Sequence, residues 1–112
     1  MDAAIKEKIE GEIAKSDLVL FMKGNPIFPQ CGFSATTAGV LNHMGVDYHA
    51  VDVLQDPDVR EGIKAYANWP TIPQVYVKGE FIGGCDIVKD MFETGELAEL
   101  LQSRGIDVKP TG

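Results

Sequence analysis

The stretch WPTIPQVYVKGEFIGG, residues 69–84, constrains the fold more than any other part of the chain. Two strand-forming runs, 74–77 and 80–82, are separated only by Lys78 and Gly79. So short a connection with a turn glycine forces an antiparallel hairpin. Pro70 and Pro73 stand at its entrance, where proline fits only if it fixes a turn or a cis bond. A cis Ile72–Pro73 bond would present the Ile72 backbone N–H and C=O to an extended ligand.

The remaining elements follow from periodicity. Ile5, Ile9 and Ile13 make one stripe on a first helix, and DLVLFM is a short apolar run of buried-strand type ended by Gly24 and Pro26. From Gly32 to about Gly45 the spacing predicts a helix with Phe33, Thr37, Val40, Leu41 and Met44 on its inner face, which puts Cys31 at the helix N-terminus. DYHAVDV reads as a strand, and Asp56 followed by Pro57 opens a helix that carries Val59, Ile63 and Tyr66 inward and stops near Asn68. After the hairpin, Asp86 is expected to cap a helix to Thr94. ELAELLQSRG is a last helical stretch closed by Gly105, and the tail beyond is expected to fray. One right-handed parallel crossover followed by a hairpin gives an α/β, thioredoxin-like element order: a four-stranded mixed sheet flanked by helices. The expectation is one domain over 1–112, with a core at about 5–103.

Composition narrows the chemistry. With 17 acidic against 10 basic residues the formal net charge is −7, a field that repels nucleic acid and anionic lipid. No apolar run is long enough to span a bilayer, and the acidic start lacks signal-peptide character. These features predict a soluble cytoplasmic chain, and a processed organellar form fits them as well. Cys31 and Cys85 are the only cysteines, too few for a disulfide framework or for a four-cysteine metal site within one chain.

Cys31 is the candidate reactive group, because helix amides at 32–34 and a nearby Lys23 would favour its thiolate. Ser34 stands where a two-thiol motif carries its second sulfur, and a hydroxyl cannot resolve a mixed disulfide. Any sulfur partner must therefore be Cys85, an external thiol such as glutathione, or a metal. Cys85 follows two glycines at a strand-to-helix turn. Its thiol reads as a small buried group, whereas the amides of Cys85 and Asp86 open a helix and suit a carboxylate. Lys23, Arg60 and Lys64 either frame an anionic ligand or line a solvated face, and Trp69 reads as core.

Taken together, KGNPIFPQCGFS, NWPTIPQVYV and GGCDIV closely resemble the CGFS-type monothiol glutaredoxins, over roughly residues 5–103. The resemblance implies a protein that binds glutathione beside Cys31 and hands on a [2Fe-2S] cluster, with weak oxidoreductase activity at most. By the same resemblance Cys31 is the reactive thiol and cluster ligand. Lys23 and Arg60, and less strongly Lys64, would meet a glutathione carboxylate. Ile72 beside Pro73 would pair with its cysteinyl part, and Cys85 with Asp86 would hold its γ-glutamyl end. Four cluster thiolates would then come from one Cys31 and one glutathione in each half of a homodimer. Implied partners are iron-sulfur acceptor proteins and a BolA-type protein. A glutathione-dependent removal of glutathione from protein mixed disulfides is the alternative activity.

Overall fold

The structure is a computed structural model that describes residues 1–110. β1 (Leu18–Met22) is its centre, and all five of its residues are buried. Leu18, Leu20 and Met22 point to one face of the sheet, while Val19 and Phe21 point to the other. Burial on both faces explains why β1 is apolar throughout rather than alternating. β2 (His49–Asp52) pairs parallel to β1. β3 (Gln74–Val77) pairs antiparallel on its other side, and β4 (Glu80–Gly83) closes the hairpin at the edge. The order β2-β1-β3-β4 is the expected thioredoxin-like sheet.

Helices cover both faces. α1 (Ala3–Ile13) and α3 (Pro57–Ala67) bring Ile9, Val59 and Ile63 onto Val19, Phe21 and Tyr76. α2 (Gly32–His43), α4 (Cys85–Thr94) and α5 (Glu96–Ser103) close the opposite face with Leu41, Val88, Leu97 and Leu101. Each large apolar side chain buried in this way contributes roughly 1.5 to 3 kcal/mol. Asp56 caps α3 as expected, accepting the N–H groups of Asp58 at 3.1 Å and Val59 at 3.3 Å ahead of Pro57 in the first turn. α1 is tied to the edge strand by a 2.5 Å contact between Glu12 Oε2 and His49 Nε2. Against the cost of burial, hydrogen bonds from His49 and Lys15 hold the Glu12 carboxyl below its usual range.

Three expectations change. Phe33 is 65% exposed; the inner face of the first turn of α2 is taken by Ser34, with Thr37, Ala38 and Leu41 behind it. Asp86 is not the cap of α4: Gly84 occupies that position and Asp86 lies in the first turn, where a carboxylate still meets the positive end of the helix. The stretch 106–109 after Gly105 is docked rather than frayed, while Thr111 and Gly112 of the expected frayed tail lie outside the described residues. Ile106 is buried, Val108 packs on the core, and the Lys109 N–H donates to the Met44 carbonyl at 2.8 Å.

Candidate thiol site and groove

Lys23 and Gly24 leave β1 with every turn of the following loop fastened. The Lys23 N–H donates to Ser34 Oγ at 3.0 Å, and the Lys23 carbonyl accepts the Gln30 N–H at 2.9 Å. The Gly24 N–H donates to Asp52 Oδ1 at 3.0 Å, an oxygen that also accepts the Leu54 N–H at 3.0 Å. Asn25 Oδ1 accepts the N–H groups of Ile27 at 2.9 Å and Phe28 at 2.8 Å. Gly24 has a φ of +87°, and a Cβ there would lie 2.5 Å from the Phe28 carbonyl oxygen, so only glycine allows the loop to fold back this tightly. Ile27 and Phe28 are left facing solvent at 79% and 69% exposure.

This loop delivers Cys31 to the N-cap position of α2 with an extended backbone, φ −153° and ψ 136°. An N-cap side chain lies over the first-turn amides, which have no partner within the helix. The Ser34 N–H is accordingly the largest influence on the thiol and pulls its pKa below the ordinary cysteine value. Partial burial opposes the shift, while the Phe33 N–H, the Lys23 charge and the Ser34 hydroxyl add to it. The result is a partly accessible sulfur that gives up its proton more readily than an ordinary cysteine, which helps nucleophilic attack or metal ligation.

From Phe33, two residues beyond this thiol, a groove with a cavity of about 190 Å³ runs across to α4, and its lining includes neither Cys31 nor Lys23. One wall is the segment Trp69, Thr71, Ile72 and Pro73, whose Ile72–Pro73 bond is cis. The other is Gly84, Cys85, Asp86 and Ile87 at the start of α4. Gln74, fully buried, holds the first wall to the sheet: its Nε2 donates to the carbonyls of Trp69 and Thr71, each at 3.2 Å, and its Oε1 accepts the Tyr76 hydroxyl at 2.9 Å. Gly84 lets the walls approach, since a Cβ there would sit 3.1 Å from Trp69 Nε1 and 3.3 Å from the Pro73 carbonyl oxygen.

A glutaredoxin family model matches residues 18–82, a span that includes the thiol, the loop and the first groove wall. The chain is 52% identical over 105 residues to the mitochondrial monothiol glutaredoxin-5 of Saccharomyces cerevisiae, spanning 91% of this chain and 70% of that protein. It is 50% identical over 95 residues to glutaredoxin 4 of Pasteurella multocida, spanning 85% and 87%. The chain belongs to the monothiol glutaredoxins. Its fold superposes with a TM-score of 0.85 on the solution structure of a monomeric truncated mutant of Trypanosoma brucei 1-C-Grx1, at 41% identity, covering 98% of this chain and 100% of that one.

Within this glutaredoxin the residues singled out by sequence fall into three places. Cys31 and Lys23 meet at the loop-to-helix junction, where the Lys23 charge acts on the thiol. Ile72, Pro73, Cys85 and Asp86 line the groove together. Arg60 and Lys64 lie on α3 and are absent from that lining. The Arg60 Nε is buried with no hydrogen-bond partner, a donor in want of an acceptor, whereas Lys64 Nζ lies 3.5 Å from Glu61 on its own helix. Sequence reasoning missed Trp69 as a groove wall. It is half-buried, packed on Phe81 at a ring separation of 5.6 Å, and faces the cavity instead of joining the core. Asp52 was also missed, because it reaches the loop from a strand 28 residues away in sequence. Among the described residues no group of three or more histidine, cysteine, aspartate or glutamate side chains forms a metal cage, and no helix is long and apolar enough to cross a membrane.

Proposed function

We propose that this monothiol glutaredoxin binds glutathione in the groove and uses Cys31 to carry a [2Fe-2S] cluster as cargo between two copies of the chain, for delivery to acceptor proteins. The observation that carries the reading is the pairing of Cys31, at the N-cap of α2 with its pKa lowered, with a Ser34 whose hydroxyl is engaged by the Lys23 N–H. The donor set fits a shared cluster: a single chain supplies one such thiolate, so three of the usual four must come from outside it. Glutathione supplies one per chain, and a second copy supplies the rest. Lys23 and the unpartnered Arg60 donor would hold glutathione carboxylates, with Lys64 a lesser contributor because Glu61 competes for it. Ile72 would pair along the glutathione backbone, and the amides of Cys85 and Asp86 at the start of α4 would donate to its γ-glutamyl carboxylate. A BolA-type protein is the partner proposed for the second ligand set when the second copy is absent.

The lowered pKa of Cys31 also favours a second reading, a thiol-disulfide exchange. The Cys31 thiolate attacks the glutathionyl sulfur of a protein mixed disulfide and the protein thiolate leaves. A second glutathione thiolate then attacks the Cys31-bound glutathione, regenerating Cys31 and releasing glutathione disulfide. One glutathione thiol is thereby consumed for each mixed disulfide removed, the protein sulfur being reduced to its thiol and Cys31 unchanged at the end.

The two readings separate by one experiment. Anaerobic reconstitution, followed by a visible absorption spectrum and counts of iron, sulfide and glutathione, is expected to give one iron and one glutathione per chain. A colourless protein that turns over glutathione mixed disulfides rapidly would support exchange instead.

A further inference from the structure

Ile27, Phe28 and Phe33 are the most exposed large apolar side chains among the described residues, more so than Met1, and they stand on either side of Cys31. Single apolar side chains in water need no explanation, but a group of them marks a contact surface. The loop that presents the first two is fixed in place. Asn25 Oδ1 accepts the Ile27 and Phe28 N–H groups, Gly24 and Pro29 form a backbone bridge, and the Lys23 carbonyl accepts the Gln30 N–H. A surface already ordered loses little entropy when it is covered. The charge pattern sets the same stretch apart. None of the 17 acidic and 10 basic residues falls within 24–46, the longest run of the chain without one. Behind Phe33 the exposed residues of α2 are small and uncharged, among them Ala35, Thr36 and Gly39.

We propose that Ile27, Phe28 and Phe33 form the surface on which a second copy of the chain docks, the apolar rim of one Cys31 packing against that of the other. The proposal rests on the shared-cluster reading and names the protein contact which that reading leaves open. A two-fold axis that brings two Cys31 residues to one cluster also brings together the residues flanking each, because such a contact uses the same patch on both sides. Charge selects the same occupant. Two chains of net charge −7 repel wherever their acidic surfaces face, and least where neither presents a charge. A basic partner gains nothing from an uncharged patch, and an anionic lipid surface is repelled by the chain as a whole. The patch is also complementary to itself: a Phe28 or Phe33 ring of one copy fits over Ala35, Thr36 and Gly39 of the other. Three side chains bury too little surface to hold a dimer alone, so the contact reinforces the shared cluster and does not replace it.

The test is the dissociation constant of the reconstituted dimer, measured by sedimentation with glutathione present. Phe28→Glu is expected to raise it at least about tenfold and Ile27→Ser about threefold. Gln102→Glu adds the same charge on the exposed side of α5 and is expected to change it less than about twofold. Added salt should tighten the dimer of the unaltered chain, since it screens the repelling bodies and finds no ion pair at the contact. Glutathione affinity of cluster-free Phe28→Glu should be unchanged, because Ile27 and Phe28 lie outside the groove lining. The proposal is overturned by an unchanged constant in Phe28→Glu, an equal rise in Gln102→Glu, a dimer weakened by salt, or a parallel loss of glutathione affinity. A normal Phe28→Glu dimer that hands its cluster on more slowly would assign the patch to an acceptor protein instead. The two readings fail separately: a loaded chain that stays monomeric contradicts the shared cluster and the contact together, whereas a normal Phe28→Glu dimer contradicts the contact alone.

Discussion

Each of the two cysteines stands at the start of a helix, and they differ by one position: Cys85 lines the groove, whereas Cys31 lies two residues before its Phe33 wall. Cys31 is the N-cap of α2, its backbone extended and the amides of Ser34 and Phe33 drawing its pKa down. Cys85 is already the first residue of α4, with Gly84 as the cap. A residue inside the helix projects its side chain from the helix surface, whereas an N-cap residue folds it over the first-turn donors. A one-residue offset thus separates a cysteine at the N-cap of its helix from one that forms a groove wall. The difference is built by the preceding chain. The loop before Cys31 is fastened by Ser34, Asp52 and Asn25, while Cys85 follows a glycine chosen for close approach to Trp69 and Pro73.

The largest effect should come from breaking the two thiols in turn. Cys31→Ser is expected to abolish cluster loading and mixed-disulfide exchange, and Cys85→Ser to leave both nearly intact, as read by visible absorption and by turnover. Equal loss in the two variants would erase the distinction between them.

Much of this arrangement was legible in the sequence. The hairpin, the crossover and the position of Cys31 at a helix mouth follow from spacing, because a turn of two residues and a period of 3.6 leave few alternatives. The cis bond at Pro73 was legible as a possibility from the cost of proline at a strand entrance. What escaped depends on partners distant in the chain. Phe33 looked like core by its hydrophobicity, but α2 turns small Ser34, Thr37 and Ala38 toward the sheet and leaves Phe33 beside the groove. Asp52 read as the polar end of a strand, and nothing local shows that its carboxylate holds Gly24. Ile106 and Val108 were hidden in a stretch too short to read as an element, although their alternation is that of an extended segment packed on one side.

Smaller effects sharpen the comparison from the two sides of the groove. Lys23→Ala or Arg60→Ala should each weaken glutathione binding by about 1 to 3 kcal/mol if charge-assisted bonds are lost. Calorimetric titration of cluster-free protein checks this, and unchanged affinity in both would return these side chains to the solvated surface. Lys64→Ala should have the least effect of the three, since its Nζ already faces Glu61. On the Cys85 side, Gly84→Ala places a methyl group 3.1 Å from Trp69 Nε1 and should narrow the groove, weakening glutathione by about 1 kcal/mol. Alkylation of Cys31 should be unaffected by it.

A pH measurement gives the smallest but cleanest contrast. The amides of Ser34 and Phe33 lower the Cys31 pKa in the folded state, so its alkylation should persist as pH falls below the ordinary cysteine value and decline only through the depressed folded value. In denaturant the midpoint should return to about 8.5, the value of a free thiol. A midpoint that is the same folded and unfolded would show that the N-cap position does nothing for the sulfur.

The central claim is that Cys31 alone gives the protein's share of a cluster held by two chains. Native mass spectrometry of the reconstituted Cys85→Ser protein tests it directly. The account predicts a species of two chains, two glutathiones and one [2Fe-2S] cluster, which falls to monomers when iron is chelated. A cluster-loaded monomer, a dimer that survives chelation, or loss of the cluster with Cys85 would contradict it.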